Sequence, residues 1–307
     1  MRSGPARPSA HARLSAVEAI LGGALAALCW AASVMSSSRG AKLIGAWPML
    51  GGVMLVGFAV CLPVIAATGL GPNPTTGQIG LLVAAGISNI VGLLFAYAAL
   101  RLGKVAVVAP ILSTEGALGA VIAIATGEAL AAGTAILLAI IAAGVMLTAA
   151  ETEAVEATIG GLEGPDQRAI TLRAAILASA AALFFGVNLY VTGRIGVELP
   201  IAWAVIPARL AGVVLVALPL LATQRFIVTR DALPFIVTSG VLEVVGIAAF
   251  ALGARGSIAI SSVIASQFAA IAAIVSVVLF HERLARHQLA GVTIIASGVA
   301  LLTALQA

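Results

Sequence analysis

Three ionisable side chains fall where a hydrophobic chain would be expected to carry none. Glu115, Arg209 and Glu243 each lie inside an apolar run long enough to cross a bilayer. On insertion scales a charge at that depth costs about 2.5–3.5 kcal/mol, so such groups are candidates for function. Desolvation disfavours the charged form of a carboxylate, which suits it to take up and release a proton. Arg209 cannot lose its proton, so it needs a carboxylate partner, a polar cavity or an anionic substrate. A structural ion pair with a glutamate and a contact to ligand are both open to it. A buried charge left unpaired is the costliest arrangement.

Spacing adds further candidates. Ser239, Glu243 and Gly246 stand at i, i+4 and i+7 and so share one helix face. About 154 residues earlier, Ala85, Asn89 and Gly92 repeat that face. Glycine permits close helix approach or leaves room for a ligand. Glu243 and Asn89 are therefore candidates for a substrate or proton site, with an interhelical hydrogen bond as the structural alternative. Glu115 follows Pro110 and Ser113-Thr114. A proline inside a span frees a carbonyl that can face a cavity. The matching later stretch runs from Ser261-Ser262 to Ser266-Gln267. Asn188 is another polar residue in mid-span, and Trp30 lies deep enough to line a pocket. Trp47 and Trp203 begin their spans, where aromatic residues anchor at the interface.

These residues are set in a chain of 307 residues that is 62% hydrophobic and 9% charged, with a mean hydropathy of +1.17. A soluble domain cannot enclose that much apolar surface. With roughly 20 apolar residues per membrane helix, the expected fold is all-α: a polytopic membrane protein of about ten transmembrane helices. The expected spans are 16–36, 43–67, 77–99, 104–126 and 130–149, then 171–192, 200–222, 233–253, 257–280 and 287–305. The breaks between them carry turn and charge signals such as Ser36–Gly40, Gly69–Pro74, Gly193-Arg194 and Arg255-Gly256. The two halves align at an offset of about 155, with Trp30 to Ser33 against Phe185 to Asn188 and Trp47 near Trp203. Five spans per half make the repeats inverted. That is an architecture of secondary transporters, whose substrate site lies near the midplane where the repeats meet.

The expected organisation is a disordered tail over 1–15, a first five-helix repeat over 16–149, an acidic linker over 150–170 and a second repeat over 171–307. The linker holds Glu151, Glu153, Glu156, Glu163 and Asp166. The net charge of +4 is spread singly over short loops, which argues for a membrane and against nucleic acid. Basic residues divide ten to five in favour of an outside N-terminus, against three arginines in the tail itself. Cys29 and Cys61 lie within spans without metal-ligand spacing and are expected to pack. His281-Glu282-Arg283-Leu284-Ala285 begins like a zinc-protease motif but has alanine at its fifth position. No metal, cofactor or enzymatic activity is expected.

The segment from Tyr97 through Arg101 and Gly103 to Pro110, continuing to Gly127-Glu128-Ala129-Leu130, resembles the drug/metabolite transporter superfamily in its ten-helix EamA-type branch. Gly256–Ala259 through His281-Glu282-Arg283-Leu284 is its second copy, and Pro207-Ala208-Arg209-Leu210 resembles a second-helix arginine motif that the first repeat lacks. The resemblance implies a bacterial inner-membrane carrier whose cavity is surrounded by the first, third and fourth helices of each repeat. Trp30, Asn89, Glu115, Asn188, Glu243 and Gln267 would then surround it. It implies a small-molecule substrate, since relatives export amino acids, other metabolites or drugs, often by proton exchange. The expected function is proton-coupled export of small polar metabolites, amino acids leading, with a drug or amphipathic cargo, uptake, or a non-transporting membrane scaffold as alternatives.

Overall fold

The computed structural model describes residues 10–102, 108, 111–149, 165–268, 271, 275, 289–291, 293–295, 297–299 and 301. Arg2, Arg7, Gly103–Val107, Ala109-Pro110, the linker residues Glu151 to Glu163, His281–Leu284 and Arg286 lie outside them. In chain order the helices are α1 (Ala10–Ile44), α2 (Ala46–Thr68), α3 (Thr76–Leu102), α4 (Glu115–Ala125), α5 (Ala132–Ala149), α6 (Pro165–Glu198), α7, α8 (Leu233–Gly253) and α9 (Ile258–Ala265). Helix α7 runs from Ile201 to Gly212, through a π-helical turn at Val213–Ala217, and on over Leu218–Ala222. Six of these are long and apolar enough to cross a membrane, and Glu115–Ala125, Ala132–Gly144 and Leu289–Val299 are shorter apolar helices. Among the described residues there is no strand. The chain is a multi-pass membrane protein.

Two helices outrun the spans expected from hydropathy. Helix α1 takes in residues 10–15, expected as tail, and Ser36–Gly40, expected as a turn. Its final turns have tertiary partners: Ser36 Oγ donates to the Phe235 carbonyl at 3.4 Å and Ser37 Oγ to Ser239 Oγ at 3.0 Å, both on α8. Helix α6 likewise begins at Pro165, inside the expected linker, and continues through Gly193-Arg194 to Glu198. An Arg194–Glu198 ion pair at i, i+4 supports that last turn.

Small residues face the bundle and large ones face outward. On α1, Ala16, Ala19, Ala26, Ala27 and Ala31 are buried while Leu14, Leu21, Leu25 and Leu28 are exposed. Lipid tails are as apolar as leucine, so helices associate through close backbone approach rather than through hydrophobic exclusion. A close approach joins α1 to α8, where a Cβ on Gly22 would lie 2.5 Å from the Gly253 Cα.

The contacts between halves come in exchangeable pairs. Helix α1 packs on α8 and α6 on α3; α2 packs on α8 and α7 on α3. Helix α9 packs on α1, and Val108, Ile111 and Leu112 pack on Ala174 and Ala178 of α6. Exchanging the two halves turns each pair into its partner. One cross-brace involves the Gly127-Glu128 motif. Gly127 turns the chain at φ 108°, and Glu128 accepts from Ser257 Oγ and from the Ala259 amide at 3.3 Å. A carboxylate there satisfies donors at the N-terminus of α9, where the helix dipole favours negative charge.

Substituting Gly22→Leu will force α1 away from α8. The expected loss is about 1–3 kcal/mol or more, read as a lower thermal unfolding midpoint in detergent, whereas Leu21→Ala on the outer face will change it little.

Candidate functional site

A cavity of about 680 Å³ opens between the two halves, lined from α1, α2, α3, α6, α7 and α8 with Glu115 and Phe268. Trp30, Asn89, Glu115, Asn188, Arg209 and Glu243 all line it. Sequence reasoning named these residues from six separate helices, and folding brings them to one wall-to-wall space. The remaining surface is mainly apolar, with Met49, Leu50, Val53, Met54, Leu93, Leu112, Leu189 and Ile247.

At the centre of the polar wall is an ion pair. Arg209 Nη2 donates to Glu243 Oε2 at 3.4 Å, and Ser33 Oγ donates to Oε1 at 3.1 Å. The arginine side chain is 2% exposed and the glutamate 26%, so Glu243 faces the cavity and Arg209 stands behind it. Arg209 Nε and Nη1 are buried without a hydrogen-bond partner. Behind Glu243, Ser33 and Ser239 are locked together: Ser239 Oγ donates to the Ser33 carbonyl at 3.1 Å and Ser33 Oγ reaches the Ser239 carbonyl at 3.4 Å. The face shared by Ser239, Glu243 and Gly246 therefore points at α1.

Glycines shape the room around these groups. A Cβ on Gly57 of α2 would lie 2.7 Å from Arg209 Cδ, and one on Gly212 would overlap Met54. Met54 and Arg209 stand about 155 apart and each lies over the other half's glycine, so methionine occupies in the first half the place arginine takes in the second. The pairs Trp30 over Gly246 and Phe185 over Gly92 repeat the relation, with would-be contacts of 2.6 and 2.8 Å. Trp30 also lies 6.4 Å edge-on from Phe268, and both line the cavity.

Both fourth helices break at the cavity. The Thr114 amide donates to the Ile111 carbonyl at 3.1 Å before α4 starts at Glu115. In the second half the Gln267 amide donates to Ile264 at 3.1 Å after α9 stops at Ala265. Irregular backbone at membrane depth is tolerated where it is enclosed by protein or lines a cavity. The break puts Glu115 in the first turn of α4, on the cavity wall. Gln267 is not on that wall. Its Nε2 folds back on the Val263 carbonyl at 3.0 Å and its Oε1 is buried without a partner. Trp203 lies off the cavity too, with its indole N–H on the Leu70 carbonyl at 2.9 Å. Ser33, Ser37, Phe185 and Phe268 join the site without having been singled out. Only the alignment of Trp30–Ser33 with Phe185–Asn188 hinted at two of them.

Filling the space at Gly57 will displace the guanidinium. Gly57→Val is expected to cost about 1–3 kcal/mol in thermal unfolding, while Gly80→Val, whose Cβ would meet nothing within 4 Å, leaves the midpoint unchanged.

Comparison with known proteins follows the same lines. Residues 17–150 match the model of the EamA-like transporter family. No curated protein sequence matches. Among solved structures 27 chains match, and one described as "Crystal structure of protein" superposes with a TM-score of 0.74 at 18% identity, over 94% of this chain and 98% of its own. That likeness carries the fold through both halves. The first half is thus similar to the EamA-like transporter family, and the fold is shared with a solved structure along nearly the whole chain.

Proposed function

We propose that this chain is a proton-coupled secondary active transporter that exports small polar metabolites, amino acids first among them, across a bacterial inner membrane by alternating access. The observation that carries this reading is the half-buried carboxylate of Glu243 on the cavity wall, backed by Arg209. In this reading Glu243 and Glu115 share proton and substrate binding, and Arg209 balances their charge. The amino group of a substrate and a proton compete for one carboxylate. Whichever occupies it excludes the other, and a carrier that reorients with either bound exchanges inward protons for outward cargo. Asn89 and Asn188 offer donors and acceptors for the cargo's polar groups, and Trp30 an aromatic wall. Ten basic residues on the odd-numbered loop side support an outside N-terminus in this scheme.

The apolar character of the remaining lining supports a second reading, an amphipathic cargo whose apolar body rests on the methionine, leucine and phenylalanine walls. A hydrophobic pocket discriminates weakly between neighbouring apolar shapes, so such a carrier would be broad in specificity.

Purified protein in proteoliposomes, with a pH-sensitive dye inside and a panel of amino acids, other metabolites and amphipathic amines outside, tests both readings. Substrate-dependent proton flux is expected for the wild type and is expected to be lost in Glu243→Gln. Flux that survives that substitution but fails in Glu115→Gln moves the proton site to Glu115. Labelled substrate crossing without proton flux rejects coupling, and no transport of any compound rejects the carrier reading.

A further inference from the structure

The carboxylate of Glu243 is shared between two helices. Arg209 Nη2 on α7 donates to Oε2 at 3.4 Å, and Ser33 Oγ on α1 donates to Oε1 at 3.1 Å. A guanidinium can hold both oxygens of a carboxylate by itself. Its Nε–H and one Nη2–H lie along one edge and form a fork of matching width. Only half of that fork is used here, and Arg209 Nε is buried without a hydrogen-bond partner. Buried donors are nearly always paired, so a bare one on a charged group calls for a reason. Ser33 supplies it, by occupying the oxygen that would close the fork.

Ser33 is itself fixed in place. It is buried, its carbonyl accepts from Ser239 Oγ at 3.1 Å, and its own hydroxyl lies 3.4 Å from the Ser239 carbonyl. One turn further along α1, Ser37 Oγ donates to Ser239 Oγ at 3.0 Å. Ser239 stands one turn before Glu243 on α8. Helix α1 is therefore stitched to the turn that carries the carboxylate, and the hydroxyl of Ser33 is aimed at Oε1 rather than at its own helix.

We propose that Ser33 is a positioning residue that keeps the Glu243–Arg209 pair open: by holding Oε1 it prevents a two-bond pair with Nε and Nη2, so the carboxylate stays ready to trade its contacts for a proton or a cargo amine. The inference rests on the carrier reading above and deepens it. A bidentate pair of charged groups is stronger and more specific than a single bond. Without the hydroxyl, Oε1 turns onto Nε, the bare donor is satisfied and the carboxylate is committed to the protein. The other titratable groups within electrostatic reach of Glu243 are Glu115 on α4 and Cys29 on α1.

Dicyclohexylcarbodiimide, a membrane-soluble reagent that attacks protonated carboxyl groups, reads this state. Purified full-length protein in nanodiscs is treated with it, and modification at Glu243 is measured by mass spectrometry against Glu115, the internal reference on the same cavity. Ser33→Ala is expected to lower the Glu243-to-Glu115 ratio about tenfold, the weight of one added hydrogen bond between charged groups. Ser239→Ala, which removes one tie on Ser33 and leaves its hydroxyl, is expected to lower it by a smaller factor. In an Arg209→Lys background the effect of Ser33→Ala is expected to vanish, because an ammonium has no fork to close. A ratio that Ser33→Ala leaves unchanged or raises overturns the proposal. So does an equal fall in the Arg209→Lys background, which is what a merely shifted helix would give. Neither cargo nor a proton gradient is needed. A chain that transports nothing can still give the expected ratios, and a chain that transports but keeps its ratio in Ser33→Ala removes the role of Ser33 alone.

Discussion

A guanidinium cannot be neutralised at membrane depth, and the surroundings of Arg209 are arranged around that fact. The side chain is 2% exposed and its single ion-pair bond, to Glu243, is long at 3.4 Å. It is held by enclosure as much as by bonding: α2 supplies the empty space at Gly57, and Val244 lies close by on α8. Removing one partner of a buried pair leaves the other charge uncompensated at a cost of about 3–5 kcal/mol. In the proposed carrier any event at the Glu243 carboxylate, whether proton or cargo, is therefore felt by α2, α7 and α8 together.

The scaffold is nearly symmetric while its chemistry is not. Methionine stands at 54 where arginine stands at 209, and asparagine at 89 where glutamate stands at 243. Trp30 and Phe185 occupy matching niches over Gly246 and Gly92. A duplicated framework tolerates this because each helix crossing depends on small residues and backbone approach, not on the identity of the side chains facing the cavity. The second half alone supplies the ion pair beside the cavity, while the first half contributes Glu115 and Asn89 to the same walls.

Much of this arrangement was legible in the sequence, for a physical reason. Glu115, Arg209 and Glu243 stand out because hydrocarbon makes every charge conspicuous, and Asn89 could be found through Glu243 once the halves were aligned. The all-helical character was legible as well, since apolar runs and turn residues alternate; of the ten spans expected, six of the described helices are long and apolar enough to cross a membrane and others are shorter. What sequence could not give was partnership. Ser33 and Ser37 look like ordinary membrane-helix serines, which commonly bond to their own helix as Ser88 does to the Ala84 carbonyl at 2.6 Å. Only the crossing of α1 with α8 aims them at Ser239 and Glu243. Ser36–Gly40 reads as a turn because three serines, an arginine and a glycine are poor hydropathy, yet tertiary hydrogen bonds keep it helical. Gln267 reads as a cavity residue by alignment, but the break after α9 turns its amide back on Val263. Glu128 belonged to a recognisable motif, while its partners Ser257 and Ala259 lie about 130 residues away in the other half.

The bond lengths at the site bear on how a carrier must work. Binding that is to be reversed in each cycle has to be made of contacts that are readily traded. Glu243 is held by a hydroxyl at 3.1 Å and a guanidinium at 3.4 Å, both at the long end for such pairs. Neither has the short bidentate geometry that would commit the carboxylate to its protein partners. Ser33, which donates one of these bonds, sits on α1 in the first half; Arg209 and Glu243 sit on α7 and α8 in the second, and all three line the cavity. Ser33 is in turn tied to Ser239, one turn before Glu243 on α8, so α1 and α8 hold the carboxylate and its hydroxyl donor as one unit. In the proposed carrier the contacts of Glu243 to hydroxyl and guanidinium are then the ones that a cargo amine or a proton would have to displace.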